Sequence, residues 1–199
     1  MKIGIDLDGV VINFENTLRT YAEIYDLDIL KGNHLIDKGK SKINGRYDWT
    51  DEQMETFLNE YIINSSKLSP IMPGFKIVYD LLKKENNIEF IVISARGADF
   101  EEMIDDAKRI LKEADVEFDK YYWKQRDKLK ICKKEKVDFM IDDDYFVADY
   151  LSKNGIKTIF YRDAGITQLE ENEFLIEVNN WGEIYRIIKN QIIKRNTMS

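Results

Sequence analysis

The sequence predicts an α/β protein with a parallel sheet covered on both faces and a small helical cap inserted after the first strand. Three observations carry that prediction. Short apolar runs that stop abruptly at polar residues alternate with segments of helical periodicity, the pattern of strands buried between helices. One stretch, 14–69, breaks the alternation with two amphipathic helices and no strong strand between them. The only two prolines, Pro70 and Pro73, follow that stretch directly and are succeeded by Gly74, a stiff return to the alternating pattern.

Taken in order, Lys2–Leu7 reads as the first buried strand, closed by Asp6, Asp8 and Gly9. Phe14, Leu18, Tyr21, Ala22 and Tyr25 then share one helix face. Met54, Phe57, Leu58, Tyr61 and Ile62 share another, opened by a capping box at Thr50 and Gln53. Beyond the prolines, Ile88–Ile93, Val137–Ile141 and Ile156–Tyr161 read as strands, with further candidates at Phe118–Trp123 and Phe174–Val178. Phe100, Met103, Ile104, Ala107, Ile110 and Leu111 recur at helical spacing. Tyr145–Lys153 is a helix capped by Asp144 and ended by Gly155, and Asn180 caps a last helix through Trp181, Ile184, Tyr185, Ile188 and Ile192. The expected organisation is a three-layer, Rossmann-like core from 1–13 and 70–199, with a helical cap at 14–69.

Composition removes several function classes. A net charge of −7 argues against binding long nucleic acid, which is held by clustered Lys and Arg. No apolar run reaches the roughly 18 residues of a membrane span, and Asp6 falls where a signal peptide keeps its apolar centre. The single cysteine, Cys132, excludes an internal disulfide and fits a reducing cytoplasm. His34 is the only histidine and lies in a Gly/Lys/Asn-rich stretch, so a multi-histidine metal site is excluded. An enzyme built on this chain works with carboxylates and lysines.

Four polar groups fall at the carboxyl ends of predicted strands, where open parallel sheets bind ligands. They are Asp6-Leu7-Asp8-Gly9, Ser94-Ala95-Arg96, Lys128 and Asp142-Asp143-Asp144. Asp8-Gly9 also suits a hairpin turn, but a turn does not account for Asp6, an acid at the inner end of a buried strand. Asp144 is explained as a cap, which leaves the adjacent Asp142 and Asp143 needing a cation. Carboxylate oxygens without Cys or His favour Mg²⁺. Lys128 falls in the first turn of a helix behind Asp127, with Lys130 as the alternative. Ser94 and Arg96 each also suit an ordinary loop or ion-pair role.

In this order the four groups resemble the motifs of the haloacid dehalogenase-like superfamily, with Asp6-Leu7-Asp8-Gly9-Val10 first, Ser94 second, Lys128 third and Asp142-Asp143 fourth. The stretch Asp6 to Glu15, the Pro70-Ile71-Met72-Pro73-Gly74 entry and Ile141-Asp142-Asp143 are similar, more narrowly, to the cytosolic type C 5′-deoxyribonucleotidases; Asn13 departs from the acid of that family. The resemblance implies a phosphomonoester hydrolase in which Asp6 is the nucleophile and Asp8 the proton carrier. Asp6, the Asp8 carbonyl and Asp143 would hold Mg²⁺, with Asp142 behind them, while Ser94, Ala95, Arg96 and Lys128 bind the phosphoryl group. It implies a small phosphorylated substrate, a nucleoside monophosphate, with Phe14 and Trp49 (and Tyr47) as candidate stacking platforms for its base. Alternatives are a phosphatase for another small phosphomonoester or a polynucleotide 3′ end, and a phosphate-binding module without catalysis.

Overall fold

Six parallel strands in the order β3-β2-β1-β4-β5-β6 form the sheet of the computed structural model, which describes residues 1–40, 42–85, 87–162, 170 and 172–198. The strands are β1 (Lys2–Ile5), β2 (Glu89–Ile93), β3 (Lys120–Tyr122), β4 (Phe139–Asp142), β5 (Thr158–Tyr161) and β6 (Leu175–Val178). The helices are α1 (Phe14–Ile24), α2 (Asp51–Leu68), α3 (Phe75–Lys83), α4 (Glu102–Glu113), α5 (Lys128–Glu135), α6 (Tyr145–Lys153) and α7 (Trp181–Met198). A π-helical turn, Tyr25–Ile29, continues α1. Among the described residues, no helix is long and apolar enough to cross a membrane.

Strand alternation sorts the apolar residues into two layers. Ile3, Ile5, Phe90, Val92, Phe139, Ile141, Ile159 and Tyr161 join a core completed by α3 and α7 through Phe75, Val78, Leu82, Trp181, Ile184 and Ile188. Ile91, Ile93 and Met140 point the other way, onto Ile131 and Cys132 of α5 and Leu151 of α6. The expected three layers are therefore present. Helix α3 has a strong apolar face at Phe75, Val78, Tyr79 and Leu82; it starts directly after the Pro73-Gly74 turn and is not among the sequence expectations.

Three capping assignments hold in detail, and that of Asp127 does not. Thr50 and Gln53 form the reciprocal capping box of α2. The Asp144 carboxylate accepts from the amides of Phe146 and Val147 at the start of α6, and Asn180 accepts from Glu183 at the start of α7. Asp127 precedes α5 without a capping hydrogen bond from its side chain. The Asp8-Gly9 turn is not a hairpin: the amides of Val10, Val11 and Ile12 all converge on the Leu7 carbonyl, and Asp8 bridges Ile12 in parallel. The chain leaves for α1 and returns after α2 along adjacent paths. The Asn13 amide donates to the Pro70 carbonyl at 2.8 Å, and that of Met72 to the Val11 carbonyl at 2.7 Å.

The Glu135 carboxylate ties the edge strand β3 to α5, beside a second ion pair from Lys120 to Glu89 at 3.0 Å. Glu135 of α5 accepts from Lys120 Nζ at 2.8 Å, from the Tyr122 hydroxyl and from Lys2 Nζ at 3.4 Å. The hydrogen bonds from Lys120 and Tyr122 hold its carboxyl at about 2, below the 4.5 of a free glutamate. A depressed acid stabilises the fold fully above its unfolded value, and that contribution is lost as pH falls from about 4.5 through 2. Glu135→Gln should therefore lower the urea midpoint at pH 7, and the gap from the wild type should shrink on titration towards pH 2. A gap that stays constant with pH would show that the ion pairs contribute nothing.

Candidate active site

The order of strands reverses at β1, and parallel sheets open a ligand crevice at such a point. The register places the polar residues there together. Ile5 pairs with Val92 on one side and Ile141 on the other. The Asp6 amide continues the ladder to the Ile141 carbonyl at 3.0 Å, and that of Ser94 to Tyr122 at 3.0 Å. Asp6, Ser94 and Asp142 thus stand at one edge of the sheet. A cleft of about 340 Å³ opens above them, lined among others by Asp6, Asp8, Ser94, Ala95, Arg96 and Lys128. A larger cavity, about 460 Å³, lies beside β3 against Leu111, Val116, Tyr121 and Trp123. None of the strand-end acids lines it, so the smaller cleft is the candidate site.

Lys128 settles between two acids. Its ammonium lies 2.7 Å from Asp142 Oδ2 and 3.0 Å from Asp6 Oδ2, with 5% of the side chain exposed. Burial pulls the Lys128 pKa down, but Asp142 and Asp6 outweigh it and hold the ammonium above the ordinary lysine range. The two carboxylates also answer the unfavourable placing of a cation in the first turn of a helix. Lys130 is exposed and stays outside the site.

Asp142 uses both oxygens within the protein, one on Lys128 and the other on the Asp144 amide at 3.1 Å. Asp143 approaches through the gap left by Gly9. That residue has φ +76°, and a Cβ built on it would come within 2.1 Å of Asp143 Oδ2, so only glycine fits there. Asp6 Oδ1 and Asp143 Oδ1 are both buried without a hydrogen-bond partner. One oxygen from each of Asp6, Asp142 and Asp143 can lie within 4.8 Å of the others.

Two further charged residues enter from 14–69. Lys42 Nζ contacts Glu15 Oε1 at 2.9 Å and Asp143 Oδ2 at 3.1 Å. Among the described residues, the five acids Asp6, Asp8, Glu15, Asp142 and Asp143 contact the three cations Lys42, Arg96 and Lys128, an excess of acid within this group. Burial, opposed by Lys128 and reinforced by Asp6, raises Asp142 to about 6; burial, opposed by Lys42, raises Asp143 well above the usual carboxylate range. Hard oxygen donors, two orphaned carboxylate oxygens and surplus negative charge fit a divalent cation such as Mg²⁺. Sequence reading missed both residues. Glu15 passes for a first-turn helix acid, and Lys42 is hidden in a lysine-rich loop; the acid excess was the one available signal.

Asp8 sits at the other wall, where the Arg96 guanidinium donates to its Oδ1. Burial raises the Asp8 carboxyl to about 6 even though Arg96 opposes the shift. The side chain of Arg96, expected among the substrate-binding residues, is engaged within the protein. Its Nε donates to the Met103 carbonyl at 2.7 Å and its Nη2 to Ser66 Oγ, so each guanidinium nitrogen has a protein partner.

The expected stacking platforms are also taken. Phe14 is 5% exposed, with the Arg96 guanidinium 5.6 Å above its ring. Trp49, 9% exposed, stacks on Tyr47 at 4.4 Å, meets Tyr25 and Phe57, and donates its indole N–H to Asp26 Oδ1 at 2.7 Å. Burial favours this pairing of rings over display at a cleft. Ile62, Phe100 and Met103 supply the apolar lining instead. His34 is bound to the same Asp26 at 2.7 Å, and burial pushes the Cys132 thiol up to about 12, so neither takes part.

No protein-family model matches the chain, and no curated protein matches it by sequence. Solved structures do. A haloacid dehalogenase-like hydrolase from Streptococcus pneumoniae superposes with a TM-score of 0.62 at 13% identity, over 94% of this chain and 97% of that one. A protein described as a predicted phosphatase from Clostridium acetobutylicum gives 0.62 at 15% identity, over 95% and 98%. An L-2-haloacid dehalogenase gives 0.58 at 13% identity, over 95% and 98%. The chain has the fold of the haloacid dehalogenase-like hydrolases.

Proposed function

We propose that the protein is a Mg²⁺-dependent phosphomonoester hydrolase working through an aspartyl-phosphate on Asp6, with nucleoside monophosphates as substrates. The observation that carries the reading is the convergence of Asp6 and Asp143, each with an unpartnered buried oxygen, next to the Lys128–Asp6 ion pair. Asp6 and Asp143 would hold the metal with the Asp8 carbonyl, and Asp142 would orient Lys128. Bound Mg²⁺ supplies charge neutralisation between the Asp6 carboxylate and the phosphate. Ser94, the backbone at Ala95 and Arg96, and Lys128 would receive the phosphoryl oxygens.

In the first step an Asp6 oxygen forms a bond to phosphorus as the ester P–O bond breaks, and Asp8 gives its proton to the departing oxygen. In the second, Asp8 takes a proton from water as the water oxygen bonds to phosphorus. The Asp6–phosphorus bond then breaks, releasing inorganic phosphate and restoring both acids. A carboxyl at about 6 supports both duties. Proton delivery also favours an ester oxygen over a halide as leaving group, since halides depart without a proton. Residues 14–69 act as the cap in this reading, and Lys42 and Glu15 bring it to the metal site. The lone, buried Cys132 suits a cytoplasmic enzyme.

A second reading, hydrolysis of another small phosphomonoester such as a sugar phosphate, draws support from the engagement of Phe14 and Trp49 elsewhere. A panel of ribo- and deoxyribonucleoside monophosphates and sugar phosphates, compared by kcat/KM with Mg²⁺, separates the two. Selective turnover of nucleotides is expected. A profile flat across bases favours the second reading, and no phosphate release from any member contradicts catalysis.

A further inference from the structure

The general-acid candidate is held from outside its own strand. Among the described residues, Arg96 is the one side chain that hydrogen-bonds Asp8. The Arg96 side chain has no exposed surface. Its fork reaches three elements at once: Asp8 after β1, Ser66 in α2 and the Met103 carbonyl in α4. Ser66 Oγ in turn donates to Asp106 Oδ2 of α4 at 2.7 Å, which joins α2 to α4 across a buried contact. Phe14 of α1 supports the guanidinium from below.

A buried cation is costly unless every donor is used. Here each guanidinium nitrogen donates to a protein acceptor, one of them the Asp8 carboxylate and the other two the groups that fix the fork in place. A planar guanidinium can satisfy three acceptors in fixed directions; a lysine ammonium on a flexible stem cannot.

We propose that Arg96 is a positioning residue, which aims Asp8 at the leaving-group oxygen and ties that aim to the α2–α4 contact through Ser66 and Asp106. The inference rests on the phosphomonoesterase reading and deepens it. It has a signature that a purely structural role lacks. An alkyl phosphate, such as a nucleoside 5′-monophosphate, releases a poor leaving group that needs Asp8's proton. A nitrophenyl phosphate releases a stable phenolate that does not. Because kcat/KM reports only steps through the first phosphoryl transfer, the later use of Asp8 as a base does not obscure the comparison.

The experiment measures kcat/KM for both substrate types in the wild type, Arg96→Gln, Arg96→Lys and Ser66→Ala, with thermal unfolding as a check on folding. Arg96→Gln should lose about 10²–10⁴-fold on the alkyl phosphate, the usual range for general acid catalysis, and under about 10-fold on the aryl phosphate. Arg96→Lys should show the same split, since charge without the fork does not restore the aim. Ser66→Ala should show it at reduced size, and it decides the matter if the Arg96 variants do not fold. Equal losses on the two substrates, or no loss on either, would overturn the proposal. Asp8→Asn separates the levels. If Asp8→Asn shows the split and the Arg96 and Ser66 variants do not, only the positioning role fails. If the wild type hydrolyses neither substrate, the phosphomonoesterase reading itself fails.

Discussion

Asp6→Asn is expected to lower Mg²⁺-dependent phosphate release by at least about 10⁴-fold, the scale seen when a covalent nucleophile is removed. The amide matches the carboxylate in shape, and its oxygen can still accept from Lys128, which lies 3.0 Å from Asp6 Oδ2. What it lacks is the negative charge that attacks phosphorus and helps hold a cation. The fold should not suffer. Asp6 belongs to a cluster with more acids than cations, and Asp6 raises Asp8, Asp142 and Asp143 by repulsion. Without Mg²⁺, the variant should unfold at the same temperature as the wild type or higher, as expected where a site trades stability for chemistry. Steady-state assay and thermal unfolding in chelator check both halves. Wild-type rates in the variant would remove Asp6 from the mechanism.

Lys128→Met is expected to be the more destructive substitution for stability. Methionine fills the volume but leaves Asp142 and Asp6, both largely buried, without their shared cation. Breaking a buried pair from one side costs about 3–5 kcal/mol, which for a chain of this size lowers the unfolding temperature by roughly 6–20 °C. Adding Asp142→Asn removes the stranded partner and should recover much of the loss without recovering activity. The split between restored stability and absent turnover would distinguish a phosphate-binding cation from a structural one. An unfolding temperature unchanged by Lys128→Met would show that the ion pairs do not support the fold.

The legible and the illegible parts of the chain divide along a physical line. Strands β1, β2, β4 and β5 were readable because burial on both faces demands continuous apolar runs. The caps at Thr50, Asp144 and Asn180 were readable because capping is local chemistry. The convergence of Asp6, Lys128, Asp142 and Asp143 was readable because their positions at or beside the ends of neighbouring strands place them together once the sheet register is set. Residues whose roles depend on long-range pairing were not. Lys42 meets Asp143 across 101 positions, and Arg96 meets Asp8 across 88. Phe14 and Trp49 failed as platforms for a related reason. An aromatic at a cap boundary satisfies a buried cluster as readily as a ligand, and only the Asp26 partner of Trp49 decides which.

The central claim, that Asp6 takes the phosphoryl group, has a direct measurement. Wild-type protein with Mg²⁺ and substrate carrying radiolabelled phosphate is quenched in acid within the first turnover, and the protein is treated with borohydride, which reduces an acyl phosphate to an alcohol. The mechanism predicts label on the protein before reduction and homoserine at position 6 after it. Inorganic phosphate formed in that turnover with no label passing through the protein, or homoserine at any other aspartate, would contradict it.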